Sequence, residues 1–282
     1  MYNQKNPGSP WKIQALGKFI DNLNMNKFNK LITKKSINKI ICLTAYSKNI
    51  ATIIDNHADI ILVGDSLGSV LYNFKSTKSV TLDMMINHAS SVRLGTKKAI
   101  LVVDMPYNTY RNPKMALKNA KIIMSKTKCD AVKLEGGKSI IPTIKTLIKN
   151  KIPVMGHLGI LPQTEKKFVF KGKKLNERKK ILDDAILLEN AGVFSIVLEC
   201  TEKKLSKEIT NKINIPTIGI GASVYCDGQV LVTDDLLGLS DGNFKFVKKY
   251  TDIKKTINSA IKKFKFEVKN KKFPSNKFSF TI

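Results

Sequence analysis

The chain has 282 residues, 43% of them apolar, and carries 49 basic against 22 acidic side chains for a formal charge of +27. That apolar share excludes a disordered chain and can build one large α/β domain or two small ones. The longest apolar runs, such as 60–63 and 99–103, fall far short of the roughly 20 residues that cross a bilayer, and the opening MYNQKNPGSPWK lacks the apolar stretch of a secretory signal.

The charge invites a nucleic-acid reading, which needs basic groups clustered with aromatics on one face. Here lysine is spread along the whole chain, and Arg93, Arg111 and Arg178 are the only arginines. The expectation is a solvated basic surface with a weak general attraction for anions and no nucleic-acid or membrane partner. Cys42, Cys129, Cys200 and Cys226 are widely spaced with no C-x-x-C pair. They read as reduced, buried thiols of a cytoplasmic protein.

In chain order, residues 1–37 hold amphipathic pieces such as IQALGKFIDNLNMNKF and are expected to form an N-terminal helical extension. Apolar, β-branched runs then alternate with segments of helical period. Strands are expected at 40–46, 59–65, 99–106, 131–137, 153–159, 194–201, 216–221 and 230–234, with helices at 48–57, 82–94, 113–127, 139–150, 177–191 and 203–213. Asn112 before Pro113 makes an N-cap with proline at the first helical position, and Gly192 closes a helix. A last helix follows Tyr250. Near-continuous apolar strands indicate a parallel sheet covered on both faces. About eight β-then-α units predict a (β/α)8 TIM barrel over 38–265, followed by a polar tail over 266–282, with a doubly wound open sheet as the competitor.

Several of these runs end on an acid: ILVGDS at Asp65, LVVDMP at Asp104, VKLEGG at Glu135 and IVLEC at Glu199; His157 occupies the same place in MGHLG. In a barrel the C-terminal strand ends converge on one mouth, so these side chains would meet. Unpaired carboxylates buried together would cost several kcal/mol each. A hard divalent cation, most simply Mg²⁺, removes that objection because it prefers oxygen ligands. Lys133 and Glu135, two apart on one strand, face the same side.

In this order and spacing, the strings TAY, VGDSLG, TKSVTLDMMINHASSV, VVDMPY, AVKLEGG, VMGHLGILPQ, VLEC, IPTIGIGAS and CDGQVLV resemble the ketopantoate hydroxymethyltransferase family, over most of the chain. The resemblance implies a barrel of the phosphoenolpyruvate mutase/isocitrate lyase type, assembled as a homodecamer in the cytoplasm. It implies transfer of a one-carbon unit from 5,10-methylenetetrahydrofolate to 3-methyl-2-oxobutanoate, giving 2-dehydropantoate in pantothenate biosynthesis. By motif, Asp65 and Asp104 would hold Mg²⁺ with Glu135 completing its site, and both aspartates would also face the substrate. Ser66 and Lys133 would bind the oxo acid, His157 would line the same pocket, and Glu199 would be the catalytic base.

Three departures stand out. Ser47 occupies a position where the family commonly has an acid, the loop TEKKFVFKGK lacks the usual glycine pair, and Ser223 stands where a second glycine is common. A carbon-carbon lyase of the same superfamily ranks second, but its cysteine-bearing KKCGH loop is missing from this sequence. A basic nucleic-acid-binding module on an inactive barrel ranks third, because every motif acid is present.

Overall fold

The computed structural model describes residues 22–165, 169–242 and 244–280. Part of the amphipathic N-terminal piece and residues 166–168 of the departing loop lie outside them. Eight strands follow one another: β1 (Ile40–Thr44), β2 (Ile60–Val63), β3 (Ile100–Asp104), β4 (Ala131–Glu135), β5 (Val154–Gly159), β6 (Ser195–Glu199), β7 (Thr217–Ile220) and β8 (Gly228–Leu231). They close into a barrel in sequence order, with β1 pairing β8 and every pairing parallel.

Strand parity divides the core in two. Ile60, Leu62, Ile100, Val102, Ala131, Met155, Val197, Ile218 and Val230 pack together in one cluster, the barrel interior. Their neighbours Ile61, Val63, Leu101, Val103, Val132 and Leu134 belong to the second cluster, which the surrounding helices cover. Side chains alternate faces along a strand. Both faces are apolar here, which is why the runs are continuous.

Helix α1 (Asn22–Thr33) supplies Phe28 and Leu31 to the interior cluster. Phe28 meets Phe194 edge-on at a centroid distance of 4.8 Å, closing the floor at the N-terminal strand ends. The outer helices are α2 (Lys48–Ile54), α3 (Leu67–Tyr72), α4 (Leu82–Gly95), α5 (Pro113–Thr127), α6 (Ile141–Lys149), α7 (Leu175–Ala191) and α8 (Lys203–Lys212). Asn112 caps α5 by accepting the Met115 N–H at 2.9 Å, and Gly192 ends α7 in the left-handed region at φ 97°. All four cysteines are free and buried.

The sequence reading differs from the structure in several places. Helix α2 stops at Ile54, short of the expected end at 57, and the side chain of Asp55 beyond it accepts the N–H groups of Lys97, Lys98 and Ala99. The short α3 and the 3-10 turn Thr77–Ser79 fall between the expected strand at 59–65 and the expected helix at 82–94, where no element is expected from the sequence. Strand β8 begins at Gly228 rather than 230, and Thr233 opens helix α9 (Thr233–Leu236). Gly228 is a poor strand former by propensity. A Cβ there would lie 2.5 Å from the Ile40 carbonyl, so close pairing with β1 requires the glycine.

The chain divides into compact units after Val232. The second unit holds α9 and α10 (Ile253–Lys269), in which Ile253, Ile257, Ile261, Phe264 and Val268 keep the helical period among the lysines.

Candidate active site

The strand ends bring the expected residues together. Asp104, Lys133, Glu135, His157 and Glu199 share the inward parity of the interior cluster, two or four positions beyond Val102, Ala131, Met155 and Val197. Register then sets the pairs: Asp104 lies opposite Lys133, Glu135 opposite His157, and Gly159 opposite Glu199.

Asp65 sits in the turn between β2 and α3. It does not cap the helix that follows; its Oδ2 accepts from Gln163 Nε2 at 2.8 Å. Its backbone N–H donates to Asp104 Oδ2 at 3.1 Å. The other oxygen of Asp104 accepts from Lys133 Nζ at 2.8 Å, so this lysine pairs with the aspartate across the ladder rather than with Glu135 on its own strand. Ser66 takes the N-cap position of α3 without capping it, and its Oγ meets the Tyr46 hydroxyl at 2.8 Å. Gly64 makes this turn possible, since a Cβ there would come within 2.8 Å of Ser66 Oγ.

On the far side, His157 lies between two carboxylates. Nδ1 is 3.4 Å from Glu135 Oε1 and Nε2 is 3.3 Å from Glu199 Oε2. Both contacts have ion-pair length, yet neither ring nitrogen is aimed well enough for a directed hydrogen bond. Charge therefore holds this histidine more than a shared proton does. Glu199 is the accessible member, with 14% of its side chain exposed against 2% for Glu135. Gly159 allows the approach of β5 to β6: at φ 98°, a Cβ would fall 2.0 Å from the Glu199 carbonyl oxygen, which accepts the Ile160 N–H at 2.9 Å.

The electrostatics reflect crowding. Burial, then the charges of Asp104 and Glu135, hold the Asp65 carboxyl well above the usual range, against the pull of Lys133 and Gln163. Burial also works against ionised Glu135, but His157, Lys133 and the Gln163 N–H outweigh it and lower its pKa. For His157, burial and Lys133 disfavour the proton while Glu135 and Glu199 more than compensate, raising it to about 9. Lys133 is likewise raised: burial opposes its charge, but Asp104, Glu135 and Asp65 prevail. Four acids thus face two cationic side chains, which leaves the site short of positive charge.

Oxygen donors in negative excess suit a hard divalent cation. Among the described residues, no group of three or more His, Cys, Asp or Glu is arranged to hold a metal by itself. Mg²⁺ draws part of its shell from water and substrate oxygens, so carboxylates beside it need not enclose the ion alone. Beside the strand ends a cavity of about 480 Å³, lined by Gly136, Lys138, Gly159, Leu161 and Lys180 among others, has the size of a ligand pocket.

Three residues of the site went unassigned in the sequence: Gln163, Tyr110 and Tyr46. Gln163 is 1% exposed and touches Asp65, Glu135, Met105 and Tyr110 at once. Its only signal was its place in the GHLGILPQ string, whereas Tyr46 stood in TAY and Tyr110 had none.

The barrel is similar in fold to 2,3-dimethylmalate lyase, a phosphoenolpyruvate mutase/isocitrate lyase superfamily member, with TM-score 0.57 and 11% identity over 86% of this chain and 88% of that one. It is similar also to a phosphonopyruvate hydrolase solved with oxalate and Mg²⁺, at TM-score 0.57 and 10% identity over 89% of this chain and 93% of that one. Among the described residues no helix is long and apolar enough to cross a membrane. Two curated relatives bear the name 3-methyl-2-oxobutanoate hydroxymethyltransferase. That of Pelagibacter ubique is 67% identical over 90% of this chain and 99% of its own length. That of Anaplasma marginale is 47% identical over 88% and 91%. Since the family model for ketopantoate hydroxymethyltransferase also matches residues 23–276, the chain belongs to the ketopantoate hydroxymethyltransferase family of enzymes.

Proposed function

We propose that the chain transfers a hydroxymethyl group from 5,10-methylenetetrahydrofolate to 3-methyl-2-oxobutanoate, forming 2-dehydropantoate, with Glu199 as the base. The observation that carries this reading is the placement of Glu199. It is the most accessible acid of the mouth, and the contact series through His157 and Glu135 ties it to the side of the barrel where Lys133 and Asp104 lie. An acid so placed can reach a substrate that the buried groups anchor.

The carbon next to a ketone becomes a nucleophile only when its proton is removed and the charge passing to oxygen is stabilised. Glu199 takes the C3 proton of the oxo acid. His157, cationic near neutral pH, fixes that carboxylate from one side and Glu135 from the other. The ammonium of Lys133 and the hydroxyl of Ser66 bind and orient the oxo acid, the lysine facing the oxygen on which charge grows. The C3 carbon then forms a bond to the methylene of the folate as one of its two C–N bonds breaks and that nitrogen takes a proton; water displaces the second nitrogen, leaving its hydroxyl on the methylene and its proton on the nitrogen, which releases tetrahydrofolate. The cavity beside Gly159 has room for part of this second substrate.

Asp65, Asp104 and Glu135 are the residues we assign to Mg²⁺, and the negative excess around them is what supports it. When bound, the cation would add positive charge beside the ketone oxygen. A homodecamer in the cytoplasm belongs to the same reading, and light scattering after gel filtration tests the oligomer.

Exchange tests the chemistry. With Mg²⁺ present, the protein is expected to wash deuterium from C3 of 3-methyl-2-oxobutanoate, and Glu199→Gln to lower that rate by about 10²- to 10⁴-fold while substrate still binds. Wild-type protein that binds the oxo acid and metal but shows no exchange by NMR refutes the role given to Glu199.

A further inference from the structure

We propose that Gln163 is a positioning residue for the cation-binding acids, holding Asp65 and Glu135 in the orientation that receives the ion. This inference rests on the assignment of Mg²⁺ to those acids. Gln163 lies on the loop after β5, yet its polar atoms serve three other strand ends. Nε2 donates to Asp65 Oδ2 at 2.8 Å and to the Met105 carbonyl at 3.0 Å. Its backbone N–H donates to Glu135 Oε2 at 3.1 Å.

The amide could in principle turn over, which would set its oxygen against the Asp65 carboxylate. The Met105 carbonyl, which can only accept, opposes that, and the Tyr110 hydroxyl, donating to Gln163 Oε1, holds the other end of the amide in place. The same hydroxyl accepts the Glu135 N–H at 3.4 Å, tying the pair to β4. Gln163 engages only Oδ2 of Asp65 and Oε2 of Glu135, so one oxygen of each carboxylate is left to other partners. A buried neutral residue that gives its donors to two acids of separate strands lowers their mutual repulsion and fixes their planes. Hydrogen bonds behind a ligand are the usual means by which a metal site is pre-organised.

The test is direct binding of Mn²⁺, as a stand-in for Mg²⁺, to the full chain without substrate, followed by electron paramagnetic resonance. Gln163→Leu is expected to weaken Mn²⁺ about 10- to 100-fold. Tyr110→Phe is expected to weaken it less and in the same direction, and the double variant no more than Gln163→Leu alone, because Tyr110 acts through Gln163. Independent loosening of the fold would instead add. Should Gln163→Leu fail to fold, Tyr110→Phe decides: unchanged affinity overturns the proposal. Wild-type protein that binds no Mn²⁺, or binds it equally with Asp104→Asn, removes the cation assignment and this inference with it. Wild-type binding that needs Asp104 but ignores both Gln163→Leu and Tyr110→Phe removes only the role of Gln163.

Discussion

The two ends of the barrel bury acids in opposite ways. On the floor, each carboxylate is met by several donors of the chain itself. Asp55 accepts the N–H groups of Lys97, Lys98 and Ala99. Asp130 accepts the Leu101 N–H at 2.8 Å and a guanidinium nitrogen of Arg93 at 3.3 Å. Asp227 takes Lys35 Nζ at 2.8 Å together with the N–H groups of Ser36 and Thr217 and the Thr217 hydroxyl. At the mouth, Asp65, Asp104, Glu135 and Glu199 crowd around Lys133 and His157; Asp104 accepts two hydrogen bonds, and Asp65 and Glu135 one each. An acid satisfied by the backbone is structure, whereas acids that repel one another are held there for chemistry.

The strongest way to break this contrast is to remove a floor acid. Asp227→Ala strands the Lys35 ammonium and the Thr217 donors, and is expected to cost about 3 to 5 kcal/mol in urea unfolding. The C3 exchange rate per folded molecule should stay at the wild-type value. A large fall in that rate with stability intact would show that the floor takes part in the reaction.

Asp55→Asn is a milder version, expected to cost about 1 to 2 kcal/mol near neutral pH. Burial works against the Asp55 charge, but the three N–H groups outweigh it and lower its pKa below 3.8. Its contribution is therefore present above pH 3.8 and fades as pH falls through the lowered value. The variant and wild type should converge in acid.

Asp65 sharpens the comparison by reversing the sign. Its pKa is raised, first by burial and then by its acidic neighbours, so cation-free protein is most stable below pH 3.8 on this account and loses stability as pH rises through the raised value. Asp65→Asn, melted with a chelator present, should flatten that loss and melt higher than wild type near neutral pH. An Asp65→Asn protein that melts lower under those conditions would place Asp65 with the structural acids. The effect is the smallest of the three, because Gln163 and Lys133 already offset part of the repulsion.

Much of this contrast is legible in the sequence, for a physical reason. Parallel strands buried on both faces must be continuously apolar, so an acid at their ends is conspicuous; Asp65, Asp104, Glu135 and Glu199 stand out at once. What stays hidden depends on loop geometry. Gln163 and Tyr110 are neutral, lie on separate loops and meet only once the chain has closed on itself, so neither period nor charge marks them. Helix α3 is six residues long, too short for an apolar period to show, and β8 opens on a glycine that propensity alone would exclude.

Gly159 contributes nothing polar, and yet the site depends on it. Any larger residue would force the ends of β5 and β6 apart, since a Cβ would overlap the Glu199 carbonyl. Glu199 and His157 ride on those two ends, so both would lose their alignment together. The reach of the proposed proton acceptor is thus set by a missing methyl group, and a substitution scan restricted to charged side chains would overlook the position that spaces them.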